Sequence, residues 1–316
     1  MLQSIWDDVK REFSYGNMVT RIIIVNVVIY VVVNIVWIIA RISNQWMTPE
    51  WYTKFMQFFM MSSDWLHNLT HPWVIITSMF LHEGFWHILW NMLFMYWFGR
   101  IVGDFIGNQR ILPLYLLGGI LGGIVYFLSL NLLPYGGEGA HYALGASAAV
   151  MAIVVAAGAI APDYVMRLLF LGDVKLKYIV AVLVFIDLVG MAGDINTGGH
   201  FAHLGGALFG WLFVVQLRSG NDWSAPVNNF LDSISSFFSN LFSGNRGGRP
   251  KVVYRNPNRT RSRANSRSSS RGEASSDSNG KGYQERLDAI LDKIKKSGYD
   301  SLSKEEKEFL FNASKK

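Results

Sequence analysis

The sequence predicts an all-α polytopic membrane protein with six transmembrane helices, a short fourth span and a cytoplasmic C-terminal tail. Two observations carry that prediction. Of 316 residues, 51% are hydrophobic and only 16% are charged, with a mean hydropathy of +0.22, whereas soluble domains carry about 25% charge. The apolar residues also collect into runs that approach the roughly 20 a helix needs to cross a hydrocarbon core about 30 Å thick. A third observation narrows the chemistry. The chain has no cysteine, which excludes a disulfide scaffold, a thiolate nucleophile, a Cys-ligated zinc and an iron–sulfur cluster. Any reaction must be run by Ser, His, Asp, Glu or Asn.

Residues 1–21 form a short N-terminal segment in which Lys10, Arg11 and Arg21 offset Asp7, Asp8 and Glu12, with no small-residue cleavage site after a short apolar core. Residues 22–40 are therefore expected to be a retained first span, not a cleaved signal. The 43–84 connection holds Trp46, Trp51, Tyr52, Phe55, Phe58, Phe59, Trp65 and Trp73, rings suited to the headgroup level. Its apolar run at 73–81 is too short to cross, so a loop partly submerged in the outer leaflet is expected. Further spans are expected at 85–102, 111–133, 147–161, 177–191 and 201–217, completing a six-span domain over 22–217. Lys and Arg fall after spans two, four and six, while the loops at 134–146 and 192–200 have none, which places both termini in the cytoplasm.

Beyond span six, Val227, Phe230, Leu231, Ile234, Phe237, Phe238, Leu241 and Phe242 recur at helical spacing, so 223–244 reads as an amphipathic surface helix. Residues 245–280 read as a basic, disordered linker, with eight Arg and one Lys between residues 246 and 271 and no acid among them. Those charges exceed the whole net charge of +6, so the rest of the chain is net acidic. Helical periodicity returns through Leu287, Ile290, Leu291 and Ile294. Ser303 with Glu306 then forms a capping box, making 281–316 a small helical appendage.

Span four is the anomaly, because about 15 residues cover only about 22 Å. It must begin inside the membrane, reached by a loop containing Gly136, Gly137, Gly139 and Gly145. Ser147 then stands at a helix N-terminus, where free N–H groups and the positive dipole end favour developing negative charge. That suits an acyl-transfer nucleophile, although an isolated Ser there is an ordinary N-cap. His203 shares a helix face with Gly206 and Gly210, small residues that let helices approach closely. It is the expected base, with His200 one turn earlier as its competitor; either could instead relay protons or tie helices together. His87 and Asn91, one turn apart in span two, are either a structural pair or donors to an oxyanion beside the Ser147 N–H. His82, Glu83, Glu138, His141 and Asp194 read as solvated loop residues, and Asp187 as a satisfied interior polar group, not the third member of a triad. With no HExxH and no paired-Asp signature, no metal or other cofactor is expected.

The segments His87-Ile-Leu-Trp-Asn91, Gly145-Ala146-Ser147-Ala148 and Ala202-His203-Leu204-Gly205-Gly206 continuing to Gly210 resemble the rhomboid intramembrane serine proteases, over about residues 20–217. The resemblance implies Ser147 as nucleophile, His203 as general base, and His87 and Asn91 supporting the oxyanion. It also implies transmembrane protein substrates whose spans unwind readily. Three positions depart from the family pattern. Ala148 stands where Gly is frequent, Met151 where an aromatic stacks on the base, and Trp73-Val74 where the family has Trp-Arg. The expected partners are transmembrane protein substrates, the lipid bilayer, and anionic lipid through the basic tail, with no nucleic acid; the expected location is a bacterial inner membrane. An inert rhomboid-like protein that binds or escorts membrane helices is the alternative. A small-solute transporter predicts inverted repeats, which the sequence does not display.

Overall fold

A computed structural model describes residues 2–133, 139–193, 196–242, 287–295 and 301–313. Met1–Arg246 form one unit and Gly247–Lys316 another. The first unit begins with α1 (Leu2–Tyr15) and α2 (Met18–Ser43), the latter started by the Asn17 side chain, which accepts the Thr20 N–H. Three short helices follow, α3 (Glu50–Gln57), α4 (Trp65–Thr70) and α5 (Val74–Thr77), then a 3₁₀ turn at Ser78–Phe80. The bundle is completed by α6 (Phe85–Ile106), α7 (Ile111–Leu132), α8 (Ser147–Ile160), α9 (Leu176–Gly190) and α10 (Thr197–Arg218), and α11 (Ser224–Phe242) closes the unit. The expected apolar spans thus coincide with α2 and α6 to α10 to within a few residues. Met18–Ser43, Asn108–Leu132 and Thr197–Arg218 are long and apolar enough to cross a membrane by length and composition. Val28, Val32, Ile35 and Ile39 on α2 are exposed, an apolar surface suited to lipid and costly in water. The chain is a mostly helical membrane protein.

The middle of the bundle is α8. At 14 residues it is about 21 Å long, and ten of those residues are buried. It lies between α7 and α10 because both present glycine to it. A side-chain Cβ at Gly206 or Gly210 would overlap the carbonyl oxygens of Ala148 and Ala152, and one at Gly118 or Gly122 would overlap the methyls of Ala152 and Ala148. Two glycine pairs spaced four apart, one on each of two helices that also touch each other at Gly122 and Gly205, thus close on one alanine pair, the close approach that small residues permit.

The 43–84 connection is more ordered than a loop. Its strand β1 (Met61–Ser62) pairs antiparallel with β2 (Tyr142–Ala143), with Met61 opposite Ala143. The Ser63 N–H donates to His141 O at 2.8 Å, and the Gly145 N–H to Ser78 O at 2.9 Å. The chain entering α8 is therefore bonded to this connection along its length. Val74, where the family pattern has Arg, is fully buried; anchoring comes instead from Trp73 Nε1 to Phe58 O and Thr77 Oγ1 to Phe59 O, each 2.8 Å. Deeper in, Tyr115 of α7 donates its hydroxyl to Met79 O at 3.0 Å and accepts from buried Asn26 of α2.

Between α8 and α9 the chain forms an unanticipated hairpin, β3 (Val165–Leu168) with β4 (Gly172–Lys175). The start of α11 docks on α7 through Arg110 and Asp222, 2.7 Å apart, and through Asn228 Nδ2 to Gln109 O. Beyond that, Phe230, Phe237 and Phe238 are exposed. The whole of the 245–280 linker lies outside the described residues. In the second unit, 287–295 are helical (α12) and α13 spans Lys304–Ala313. The expected capping box is formed in both directions: the Ser303 N–H donates to Glu306 Oε2 at 2.7 Å and the Glu306 N–H to Ser303 Oγ at 3.3 Å. Lys293 pairs with Glu306 at 2.9 Å, joining the two helices.

Glycine-to-alanine changes should therefore have opposite signs by position. Gly206→Ala forces apart backbones already in contact and should cost roughly 1–3 kcal/mol. Gly103→Ala in α6 meets only Ile111 Cδ1, at 3.9 Å, and should be neutral or stabilising by about 0.5–1 kcal/mol. Equilibrium unfolding of both variants in detergent checks this; equal effects would remove the close-packing argument.

Candidate active site

Ser147 is the first residue of α8. The cap position is taken by Ala146, which has no side chain to bond the helix start. The first N–H groups of α8 thus keep no side-chain cap, and free N–H groups at a helix start are donors for an anion. Gly145 immediately before it has φ of +126°, which only glycine adopts readily. A Cβ there would also stand 2.8 Å from His87 Nε2 and 3.7 Å from Ser147 Oγ. The missing side chain lets the His87 ring and the Ser147 hydroxyl converge on the same space.

Asn91, one turn below His87, is buried and donates Nδ2 to His87 O at 2.8 Å. That bond uses one amide proton and fixes the plane of the group, so the second proton and the oxygen remain for other partners. Ser147, His203, His87, Asn91, Asp187 and Met151 all line one cavity of about 1460 Å³. The four residues singled out from the sequence are therefore brought together. Among the hydrogen bonds of the described residues, none joins Ser147 to His203.

Two sequence expectations need correction. Asp187 is buried, as an interior polar group should be, but its Oδ1 accepts from His203 Nδ1 and from His200 Nδ1, both at 2.8 Å. An acid in an apolar helix signalled inward placement; which residues it would meet depended on how α9 packs on α10. Three possible metal-ligand groups follow, since the ligand atoms of Asp187, His200 and His203 lie within 4.8 Å of one another, a cluster that linear spacing did not reveal. Of the two histidines, His203 lines the cavity with Ser147 and His200 does not. His200 sits instead in the space left by Gly190, where a Cβ would meet its ring at 2.5 Å.

His82 is the second correction. It is only 2% exposed, not solvated. Its Nε2 faces the Ala146 N–H at 3.5 Å, and its ring lies edge-on to His87 with centroids 5.0 Å apart. It supports both the chain entering α8 and the His87 ring. Glu83 and His141 are exposed as expected, and Glu138 and Asp194 lie outside the described residues. Burial, with the neighbouring His87 ring adding to it, pushes the His82 imidazole down to about 3 from 6.5.

The sign of the resulting pH effect is fixed. Between pH 6.5 and 3 the unfolded chain binds a proton at His82 that the folded protein refuses, so this contribution is complete above pH 6.5 and is lost as pH falls. His82→Gln should flatten the acid side of a melting-temperature profile across that window. An unchanged slope would show that His82 is protonated in the fold.

Residues 69–220 match the rhomboid domain family, and residues 279–316 match a family of unknown function, DUF6576. The chain is 33% identical over 158 residues to RHOMBOID-like protein 12, mitochondrial, of Arabidopsis thaliana, covering 46% of each chain. It is 27% identical over 142 residues to presenilin-associated rhomboid-like protein A, mitochondrial, of Danio rerio, covering 44% of this chain and 36% of that one. With rhomboid protein 1, mitochondrial, of Saccharomyces cerevisiae it shares 26% identity over 178 residues, 55% of this chain and 49% of the other. The matches thus span half or less of these relatives' length. Their names place them in mitochondria, so they lend no support to the expected bacterial inner membrane. The matched segment contains α6 to α10 and all of the cavity lining except Met61, and over residues 69–220, just under half of its length, the chain matches the rhomboid family.

Proposed function

We propose that this protein is an intramembrane serine endopeptidase that hydrolyses peptide bonds in or near transmembrane segments of other proteins. The observation that carries the reading is the single cavity lined by Ser147, His203, His87 and Asn91, with His203 tied to Asp187. When His203 donates an Nδ1–H hydrogen bond to Asp187, the ring keeps that proton and its lone pair lies on Nε2. Nε2 can then take the Ser147 proton as Oγ attacks the substrate carbonyl, and return it to the leaving amine. The acyl-enzyme left on Ser147 is cleared by water. Negative charge on the carbonyl oxygen is met by the first N–H groups of α8 together with His87 and Asn91. Asp187 acts through His203 by fixing its tautomer, a positioning role.

In this reading α2 and α6 to α10 are six spans. An even number puts both termini on one side, and the Lys/Arg bias selects the cytoplasmic side. The exposed phenylalanines of α11 and the nine charges between residues 246 and 271 would anchor the tail to an anionic membrane surface. A second reading, an inert binder or escort of membrane helices, draws on the absence of a Ser147–His203 hydrogen bond among the described residues. Catalytic hydrogen bonds often tighten only when substrate binds, which favours the enzyme.

Purified protein in detergent or liposomes, given a transmembrane reporter, separates the two readings. Ser147→Ala and His203→Ala should each abolish cleavage, while His200→Ala should retain most of it. His87→Ala and Asn91→Ala should lower kcat more than they raise KM, by about 2.7–4 kcal/mol for a donor that nothing replaces. Cleavage that survives Ser147→Ala would leave the inert reading. For the tail, a fragment covering 223–275 should bind anionic vesicles at low salt and release as salt screens its charges, at roughly 1 kcal/mol per basic residue near the surface. Absence of binding at low salt would assign the helix to packing against the protein.

A further inference from the structure

We propose that Asp187, His200 and His203 form a binding site for a divalent transition metal of the zinc class, and that metal bound there switches the protein off. The switching half rests on the proposed role of His203 as base; the binding half does not. Two histidines three apart on α10 share one face, and α9 supplies the carboxylate opposite them. Each Nδ1 is 2.8 Å from Asp187 Oδ1, and the three ligand atoms lie within 4.8 Å of one another. Tetrahedral zinc, with ligands about 2.0–2.2 Å away, sets its donors about 3.4 Å apart. The nitrogen–oxygen distances must open by about half an ångström, and the nitrogens must move together by little more than one.

Charge favours the same ligand class. Asp187 is buried, and among the described residues the cavity it borders has no Lys or Arg in its lining, so the partners seen for this buried carboxylate are the imidazole N–H groups of His200 and His203. A neutral imidazole and a carboxylate together select zinc, copper, nickel or iron over magnesium and calcium, which take oxygen ligands. Three protein ligands leave a fourth position for water.

The consequence at His203 is a change of tautomer. In the metal-free state Nδ1 carries the ring proton toward Asp187 and Nε2 carries the lone pair. A metal on Nδ1 takes that lone-pair position, so the single proton of the neutral ring must sit on Nε2. Nε2 then donates and cannot accept the Ser147 proton. The Nδ1–H bond and its hydrogen bond to Asp187 are replaced by the Nδ1–metal bond, and an Nε2–H bond forms as the proton passes through water, so the ring stays neutral with one proton.

Cobalt(II) titrated into the metal-stripped full chain in detergent reads the site without any cleavage assay. The wild type should take up one equivalent with the visible d–d bands of a four-coordinate ion, and His200→Ala and Asp187→Asn should each weaken uptake at least about 100-fold, beyond what loss of an outer-shell partner costs. Absence of the bands in the wild type, or uptake by both variants as tight as the wild type's, overturns the proposal. In the reporter assay, zinc should inhibit the wild type, and His200→Ala should need at least tenfold more zinc for the same fractional loss relative to its own metal-free rate. Equal sensitivity would overturn the switching half. Cobalt binding in a protein that cleaves nothing would keep the site and remove the enzymatic reading, so the two failures are distinguishable.

Discussion

The structure depends on how closely three helices can approach. Helix α8 has no room to be anywhere else, because Gly118 and Gly122 press on it from α7 and Gly206 and Gly210 from α10, all against Ala148 and Ala152. Glycine is a poor residue for a helix interior in water, costing roughly 0.5–1 kcal/mol against alanine. Here that loss is offset by backbone-to-backbone packing, the main attraction left between helices when lipid competes for apolar contact. The same contact has a chemical outcome. It carries His203, one turn before Gly206, to the cavity that Ser147 opens.

The departures from the family pattern acquire reasons in this frame. Ala148 in place of glycine is accommodated because its methyl fits against Gly122 on one side while its carbonyl faces Gly206 on the other. Met151 fills a buried place on the cavity wall but offers no ring to stack on His203. Asp187 supplies a different constraint, a hydrogen bond to Nδ1, which fixes both ring orientation and tautomer where stacking would fix orientation alone. The His82 and His87 pair similarly holds the entrance to α8 by packing and not by charge.

Much of this was legible in the sequence, and the rest failed for identifiable reasons. Apolar runs located the long helices because lipid-facing and protein-facing residues are alike apolar; the fourth run, expected at 147–161, is Ser147–Ile160. Gly206 and Gly210 could be read as a packing face since His203 marked the side. Gly118, Gly119, Gly122 and Gly123 could not, because a span with so much glycine does not say which face is used. His82 reads as solvated because a polar residue in a loop ordinarily is, and the partners that enclose it, Ala146 64 residues on and the His87 ring, are set by the fold. The bond from Asp187 to both His200 and His203 was likewise invisible, since an acid in an apolar helix announces that it is buried without naming its partner. The 43–84 connection was read by its aromatic content, which says where it lies and little about its short helices or its pairing with Tyr142 and Ala143.

The central claim is that helix packing turns Ser147 into a nucleophile. The measurement that tests it most directly is the site of covalent modification by a fluorophosphonate, mapped by peptide mass spectrometry on the folded protein. The account predicts one phosphonylated residue, Ser147, with labelling lost in His203→Ala and strongly slowed in Gly206→Val, where the helices are held apart. Labelling spread over several serines, or labelling at Ser147 that persists without His203, would contradict it.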